Sequence, residues 1–397
     1  MIDGAIQKRI KRHVSGPVQS FFAVTAPGLE KLCFRELTTM PGKVHRVEII
    51  PGGVAFKGRL TDLYGANLTL RMPTRILMRI ARFKATNFRQ LEKHLAQIPW
   101  ELHISAATDI NVNVKAIHSR LYHTAAIADC IKQAIYERMG APFQARSAVV
   151  QNLFVRVLDD SFVMSLDSSG EPLYKRGLKE HVGKAPLREN LAAAALLWAG
   201  YTGREPLMDP MCGSGTFSLE AALISSRTPP GWQRVFAFMN WPAFKTRQWQ
   251  HMKKERALKI APVTEPSIFA SDIDPGACAF LSAAVQKHDL TRAVSVVERD
   301  FFEFGPAQFT RKPGIIALNP PYGVRLGSVA RARKLYIEIA AKLSRDYRNW
   351  RVAVFLPDRR LAADFPLGLK QRRIIHGGLT LTLLTGCIAN RPTSKST

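Results

Sequence analysis

The stretch MDPMCGSGTFSLEAA, residues 208–222, runs from the end of an apolar strand through two glycines into a helix. Gly213 and Gly215 permit a tight turn and close backbone approach. The unsatisfied N–H groups of the helix beyond them favour an anionic group. A glycine pair alone serves a plain strand–helix turn equally well. Asp209 tips the balance, because a carboxylate at a strand end facing a glycine loop suits a ligand that carries a cation. No Gly-Lys-Ser/Thr follows, so this is not a triphosphate loop.

Strand and helix alternate on both sides of this stretch. The helix LRENLAAAALLWAGY precedes it; strands SIFASDID, AVSVVERD, GIIALNPPY and RVAVFLP follow, with helices GACAFLSAAVQKH and ARKLYIEIAAKLSRDY among them and a final pair, RRIIHGG and LTLLTGCI. That alternation predicts an α/β fold with a doubly wound parallel sheet, whose ligands sit beyond the carboxyl ends of the strands. Three further strand ends carry polar corners. Asp272 can accept both hydroxyls of a ribose, while Asp274 before Pro275 reads as a helix cap. Asp300 can accept from an adenine amino group and Phe301 can stack on its ring, with one of Phe301 and Phe302 expected in the core.

The last corner is NPPY, residues 319–322. An exocyclic amine on a base is a poor nucleophile, because its lone pair is delocalised into the ring. The Asn319 side-chain oxygen and the Pro320 carbonyl can accept from such an NH2, orient it and stabilise charge growing on nitrogen. The two prolines stiffen the corner, and Tyr322 offers a face for a base taken out of its helix. The alternative is a tight structural turn.

The front half reads differently. Short strands and helices give an α+β pattern, with Ile110, Val112 and Val114 alternating in TDINVNVKA and Ile127, Ile131 and Ile135 at helical spacing before Gly140. Residues 1–16 are basic without an evident apolar period, which predicts a disordered tail. Over 397 residues, 57 Lys and Arg stand against 31 Asp and Glu, a formal net charge of +26 that attracts a polyanion. The longest apolar stretch, LAAAALLWAG, is about half of a membrane span. Five scattered cysteines without CxxC spacing indicate neither a disulfide framework nor a metal site. A soluble cytoplasmic protein with a nucleic-acid partner is expected.

DPMCGSGTFSLEAA, SDIDP, DFF and NPPYGVRLG resemble, in order, the motifs of class I S-adenosylmethionine-dependent methyltransferases acting on exocyclic amines. PLYKRGLKEHVGKAPLRENLAAAALL is similar to the segment leading into the methyltransferase domain of bacterial large-subunit rRNA guanine-N2 methyltransferases. FFAVTAPGLEKLCFREL and RMPTRILMRIARF resemble the start of their ferredoxin-like piece and the lead into their THUMP RNA-binding domain. The resemblance spans about residues 18–392. It implies a Rossmann-like methyltransferase domain over 168–397, preceded by a basic tail (1–16), a ferredoxin-like piece (17–70) and THUMP (71–167).

The cofactor it implies is S-adenosyl-L-methionine, held by Asp209, Gly213, Gly215, Asp272, Asp300 and Phe301. Arg188 and Asn190 would lie near the cofactor's carboxylate; Asn319, Pro320 and Tyr322 would receive the amine. His181 is not needed as a base, since the methylated amine loses its proton readily. Ending at Thr397 without the second methyltransferase domain of some larger relatives, the chain is expected to have a single activity.

The substrate implied is a guanine N2 amine in RNA, 23S rRNA before tRNA. An adenine N6 amine would fit the same corner, although the THUMP-like front half argues against DNA. A non-catalytic RNA-binding assembly factor would be expected to have lost at least one corner. Between the first two strands of the second half, residues 226–266 carry Trp232, Trp241 and Trp249 among Arg and Lys. They suit either base stacking or a buried helical insertion. Oligomeric state is not legible.

Overall fold

The computed structural model describes residues 4–106, 108–140, 150–179, 187–265, 267–321, 329–366, 368–376 and 378–389. The chain forms two compact units, Met1–Leu173 with Arg234–Arg256, and Tyr174–Gln233 with Ala257–Thr397. Among the described residues no helix is long and apolar enough to cross a membrane.

The first unit opens with α1 (Gly4–Ile10), continued by a π-helical turn at Lys11–Ser15. The disordered tail expected for residues 1–16 is therefore corrected over residues 4–15. Ile6, Ile10 and Val14 recur at helical spacing, and the last two are fully buried. Gln19 Nε2 ties the segment down by donating to the carbonyls of His13 and Val14.

There follow β1 (Gln19–Val24), α2 (Glu30–Thr39), β2 (His45–Ile50), β3 (Gly53–Gly58), α3 (Leu60–Thr69), β4 (Arg75–Lys84) and α4 (Phe88–Ala96). The unit continues with β5 (Asp109–Ile117), α5 (Thr124–Met139), β6 (Val150–Leu158) and β7 (Ser161–Asp167). All seven strands make one sheet, in the order β2-β3-β1-β4-β7-β6-β5. It runs unbroken past residue 70, because β4 pairs with β1 on one side and β7 on the other. The expected α5 is present, with Ile127, Ile131 and Ile135 buried and Gly140 in the left-handed region at its end.

The second unit is built from α6 (Glu189–Trp198), β8 (Leu207–Asp209), α7 (Thr216–Ser225), then, after α8 (Thr246–Ala257), β9 (Ile268–Asp272), α9 (Pro275–Lys287) and β10 (Val294–Glu298). It is completed by β11 (Ile315–Leu318), α10 (Val329–Asp346), β12 (Arg351–Leu356), β13 (Lys370–His376) and β14 (Leu379–Cys387). The sheet order is β10-β9-β8-β11-β12-β14-β13. The first five strands are parallel, as expected, and the final pair is antiparallel. All four residues of β11 are buried, as a parallel strand covered on both faces requires.

Residues 234–256, which contain most of α8, cluster with the first unit. Phe238 and Trp249 pack against Tyr64, the Tyr64 and Phe238 rings stacking at 4.4 Å, and Phe236 packs against both Phe238 and Trp249. Trp241 Nε1 donates to Gln151 Oε1 at 2.7 Å. Of the two readings of the tryptophans, burial holds for Trp241 and Trp249, so neither offers a stacking face.

Candidate active site

The second sheet grows in two directions from β8: β9 and β10 lie on one side, β11 and β12 on the other. Such a switch point leaves a crevice at the carboxyl ends, where diverging connections cannot cover it. Asp209 ends β8, Asp272 ends β9, and Asp300 follows β10. β11 runs beside β8 in parallel register, which brings Asn319 out at the same edge.

The two glycines do different work. Gly215 caps α7 at φ +70°, and a Cβ there would meet Leu281 Cδ1 at 2.2 Å, so its bareness serves helix packing. Gly213, at φ +50°, would meet nothing within 4 Å and faces open space. Its N–H donates to Asp272 Oδ2 at 2.8 Å, while Asp272 Oδ1 accepts from Asp274 N at 3.0 Å. Asp272 thus fixes the glycine turn while remaining half-exposed. Asp274 is a cap, accepting from Gly276 N, as read.

Asp209 is 2% exposed, and its Oδ2 accepts from Ser218 N and Oγ at 3.1 and 2.7 Å. Burial pushes its pKa up to about 7, against those two hydrogen bonds. It clamps the first turn of α7 to the end of β8. A buried cation of the chain's own, Lys179, which sequence reading missed, sits against the same turn. Its ammonium donates to Thr216 Oγ1 at 2.5 Å and lies 3.5 Å from Glu189 Oε1. Nearby, buried Arg176 pairs with Glu220 at 2.8 Å. A single Glu in the apolar helix FSLEAALISS was the available signal, since a buried carboxylate needs a partner.

Phe301 requires a correction. It is 1% exposed, packs against Phe304 and Tyr347, and has the Lys342 ammonium 5.2 Å from its ring centre. No face is open for an adenine. Phe302, 36% exposed, is the ring on the accessible side. Asp300, just before them, caps their short helix by accepting from Phe302 N at 2.9 Å.

Arg188 occupies the N-cap position of α6 without a side-chain cap, its guanidinium 5.0 Å from the Tyr174 ring centre; Asn190 is fully buried in the first turn of that helix. Thr216 Oγ1 donates to Leu187 O at 3.3 Å, which joins this lead-in to the glycine turn. At the last corner Asn319 is half-buried, and the Pro320 carbonyl accepts from Tyr336 Oη at 3.3 Å. Tyr322 and His181 lie outside the described residues.

A family model described as RMKL-like, methyltransferase domain matches residues 176–373; models of the RlmL ferredoxin-like domain and the THUMP domain match 20–77 and 85–167. The chain is 31% identical over 377 residues to a protein of Synechocystis sp. named "Putative RNA methyltransferase slr0064", covering 93% of this chain and 97% of that one. It is 32% identical over 388 residues to the Ribosomal RNA large subunit methyltransferase K/L of Syntrophotalea carbinolica, covering 94% of this chain and 54% of that one. The chain thus spans about half the length of that K/L relative. The crystal structure of SMU.472 complexed with SAH matches with a TM-score of 0.82 at 25% identity, over 95% of this chain and 99% of that one.

Proposed function

The chain belongs to the family of RMKL-like methyltransferases fronted by RlmL ferredoxin-like and THUMP domains, and on that premise we propose its reaction. It transfers a methyl group from S-adenosyl-L-methionine to the exocyclic N2 amine of a guanine in RNA, the substrate being 23S rRNA. The observation that carries this reading is the Asn319–Pro320 corner, which leaves β11 at the strand edge where β8 opens the glycine turn.

The crevice fits the cofactor. Gly213 faces open space where a side chain would intrude, and Asp272 is half-exposed beside it. When bound, S-adenosyl-L-methionine supplies a methyl group on a positively charged sulfur. Asp272 and Asp300 accept from the ribose and adenine, Phe302 in place of Phe301 offers the stacking ring, and Arg188 meets the carboxylate. Asp209 and Lys179 hold the turn's shape. Asn319 and the Pro320 carbonyl accept from the exocyclic NH2, which orients it and stabilises the positive charge growing on its nitrogen. The methylated amine then loses its proton to water without a dedicated base.

The purified protein, labelled S-adenosylmethionine and unmodified 23S rRNA, 16S rRNA or tRNA are combined, and the methylated nucleoside is identified after digestion. N2-methylguanosine from 23S rRNA is expected. Label confined to tRNA sinks the rRNA assignment, and N6-methyladenosine as sole product overturns the base.

A further inference from the structure

The five cysteines are free thiols, and two of them meet. Cys33 belongs to α2, Cys130 to α5 and Cys387 to the end of β14. Cys212 and Cys278 are far apart in sequence, one just before Gly213 and the other in α9, and both are buried. They converge at the end of β9. The Cys212 N–H donates to the Ser271 carbonyl at 3.0 Å. The Cys278 sulfur lies 3.6 Å from the carbonyl oxygen of the next residue, Asp272, and 3.5 Å from that of Val297. The two side chains interact there, thiol against thiol.

Helix packing holds the pair in register. Leu281 follows Cys278 by one helical turn, on the same face of α9. It fills the space over Gly215, where a Cβ would meet its Cδ1 at 2.2 Å. The Cys212 carbonyl in turn accepts from Gly215 N at 2.7 Å. The face of α9 that carries Cys278 and Leu281 therefore lies on the turn that carries Cys212 and Gly215. Burial, with Asp209 and Asp272 close by, pushes the Cys212 thiol up, and a thiol reacts with an oxidant far more slowly than a thiolate. The pair stays reduced while oxidant is scarce. Once one sulfur is oxidised, its partner is already beside it.

We propose that Cys212 and Cys278 form a reversible disulfide under hydrogen peroxide, and that this bond weakens the crevice's hold on S-adenosyl-L-methionine. The effect on the cofactor rests on the reading of that crevice as its site; the bond itself does not. Peroxide first oxidises one thiol to a sulfenic acid and is reduced to water. The second thiol then attacks that sulfur. The S–S bond forms, the sulfenic S–O bond breaks, and the departing hydroxide takes up the second thiol's proton as another water. Two thiols and one peroxide thus give one disulfide and two waters. Dithiothreitol reverses the bond by thiol–disulfide exchange. The bond holds the sulfurs closer than two thiols can lie, which draws Cys212 toward α9. The adjoining Gly213 N–H then shifts from Asp272 Oδ2, now 2.8 Å away, and Asp272 loses the partner that orients it.

The test titrates the full-length protein calorimetrically with S-adenosylmethionine after dithiothreitol, after millimolar hydrogen peroxide, and after peroxide followed by dithiothreitol. Non-reducing peptide mapping by mass spectrometry, with free thiols blocked, identifies the bonded pair. A linked Cys212–Cys278 peptide, at least tenfold weaker cofactor binding and full recovery on reduction are expected. Cys278→Ser is expected to bind within threefold of the reduced wild type and to be indifferent to peroxide. Thermal melts check that it is folded, with Cys278→Ala as the second variant. Absence of the linked peptide from the oxidised wild type overturns the disulfide and leaves the cofactor reading standing. A linked peptide with unchanged affinity overturns its effect on the crevice. Peroxide sensitivity undiminished in the folded variant assigns the effect to another group and overturns the proposal. No cofactor binding by the reduced wild type overturns the crevice reading and the proposed effect together.

Discussion

The hydroxyl of Tyr336, in α10, donates to the carbonyl of Pro320 at 3.3 Å, tying the strand-end corner to a helix 16 residues downstream. Tyr336 is fully buried in the cluster formed by β11, β12 and α10. The corner is therefore braced by the core beneath it as well as by its prolines.

Removing that brace without disturbing the core separates positioning from stability. Tyr336→Phe is expected to cost about 1 kcal/mol of stability and to lower kcat more than it raises KM. Asn319→Ala should cost at least about a hundredfold in kcat while cofactor affinity stays unchanged. Steady-state kinetics with calorimetric titration of the cofactor check both; a change confined to KM would rule out a positioning role for Tyr336.

The two glycines should fail differently. Gly215→Ala puts a methyl against Leu281 in a left-handed backbone and is expected to lose about 2–4 kcal/mol. Gly213→Ala meets only the backbone penalty, about 1 kcal/mol, and should remain folded while cofactor affinity falls. Chemical denaturation and cofactor titration on the same preparations distinguish the cases.

Asp209 makes stability depend on pH in a stated direction. Its folded pKa of about 7 lies above the ordinary carboxylate value, so the folded state holds the proton more tightly than the unfolded state. Its contribution is fully present below about pH 4 and is lost as pH rises through 7. Asp209→Asn keeps an oxygen for Ser218 and carries no charge. The stability of the variant relative to wild type should climb between these limits and level off above them; a difference independent of pH would contradict the assignment.

The neighbouring phenylalanines should exchange the effects their order in sequence suggests. Phe301→Ala is expected to cost about 3–5 kcal/mol. Phe302→Ala should stay within about 1 kcal/mol of wild type and weaken cofactor binding instead. Equilibrium unfolding beside cofactor titration tests this; unaltered affinity in Phe302→Ala would remove it from the crevice.

Local signals were legible wherever the chain had to satisfy a nearby requirement. The isoleucine period of α5, the Asp274 cap before Pro275, and Gly213 and Gly215 in left-handed backbone follow from residues within a few positions of one another. The same holds for four polar corners that end or follow strands. Much of what lay beyond reach depended on partners far along the chain. Lys179 meets the glycine turn more than 30 residues away, and Trp241 meets Gln151 90 residues away. The N-terminal helix was missed although Ile6, Ile10 and Val14 carry its period, because its basic residues masked a stripe that only packing against distant residues buries.

By itself the sequence determined an alternating α/β half with polar strand ends and an α+β half of short strands, because periodicity and backbone preference are local properties. Tertiary structure decided which of two adjacent rings is buried, which unit claims residues 234–256, and that Lys179 meets the glycine turn. The physical reason is that burial and strand register join residues far apart in the chain, and no local pattern specifies the partner.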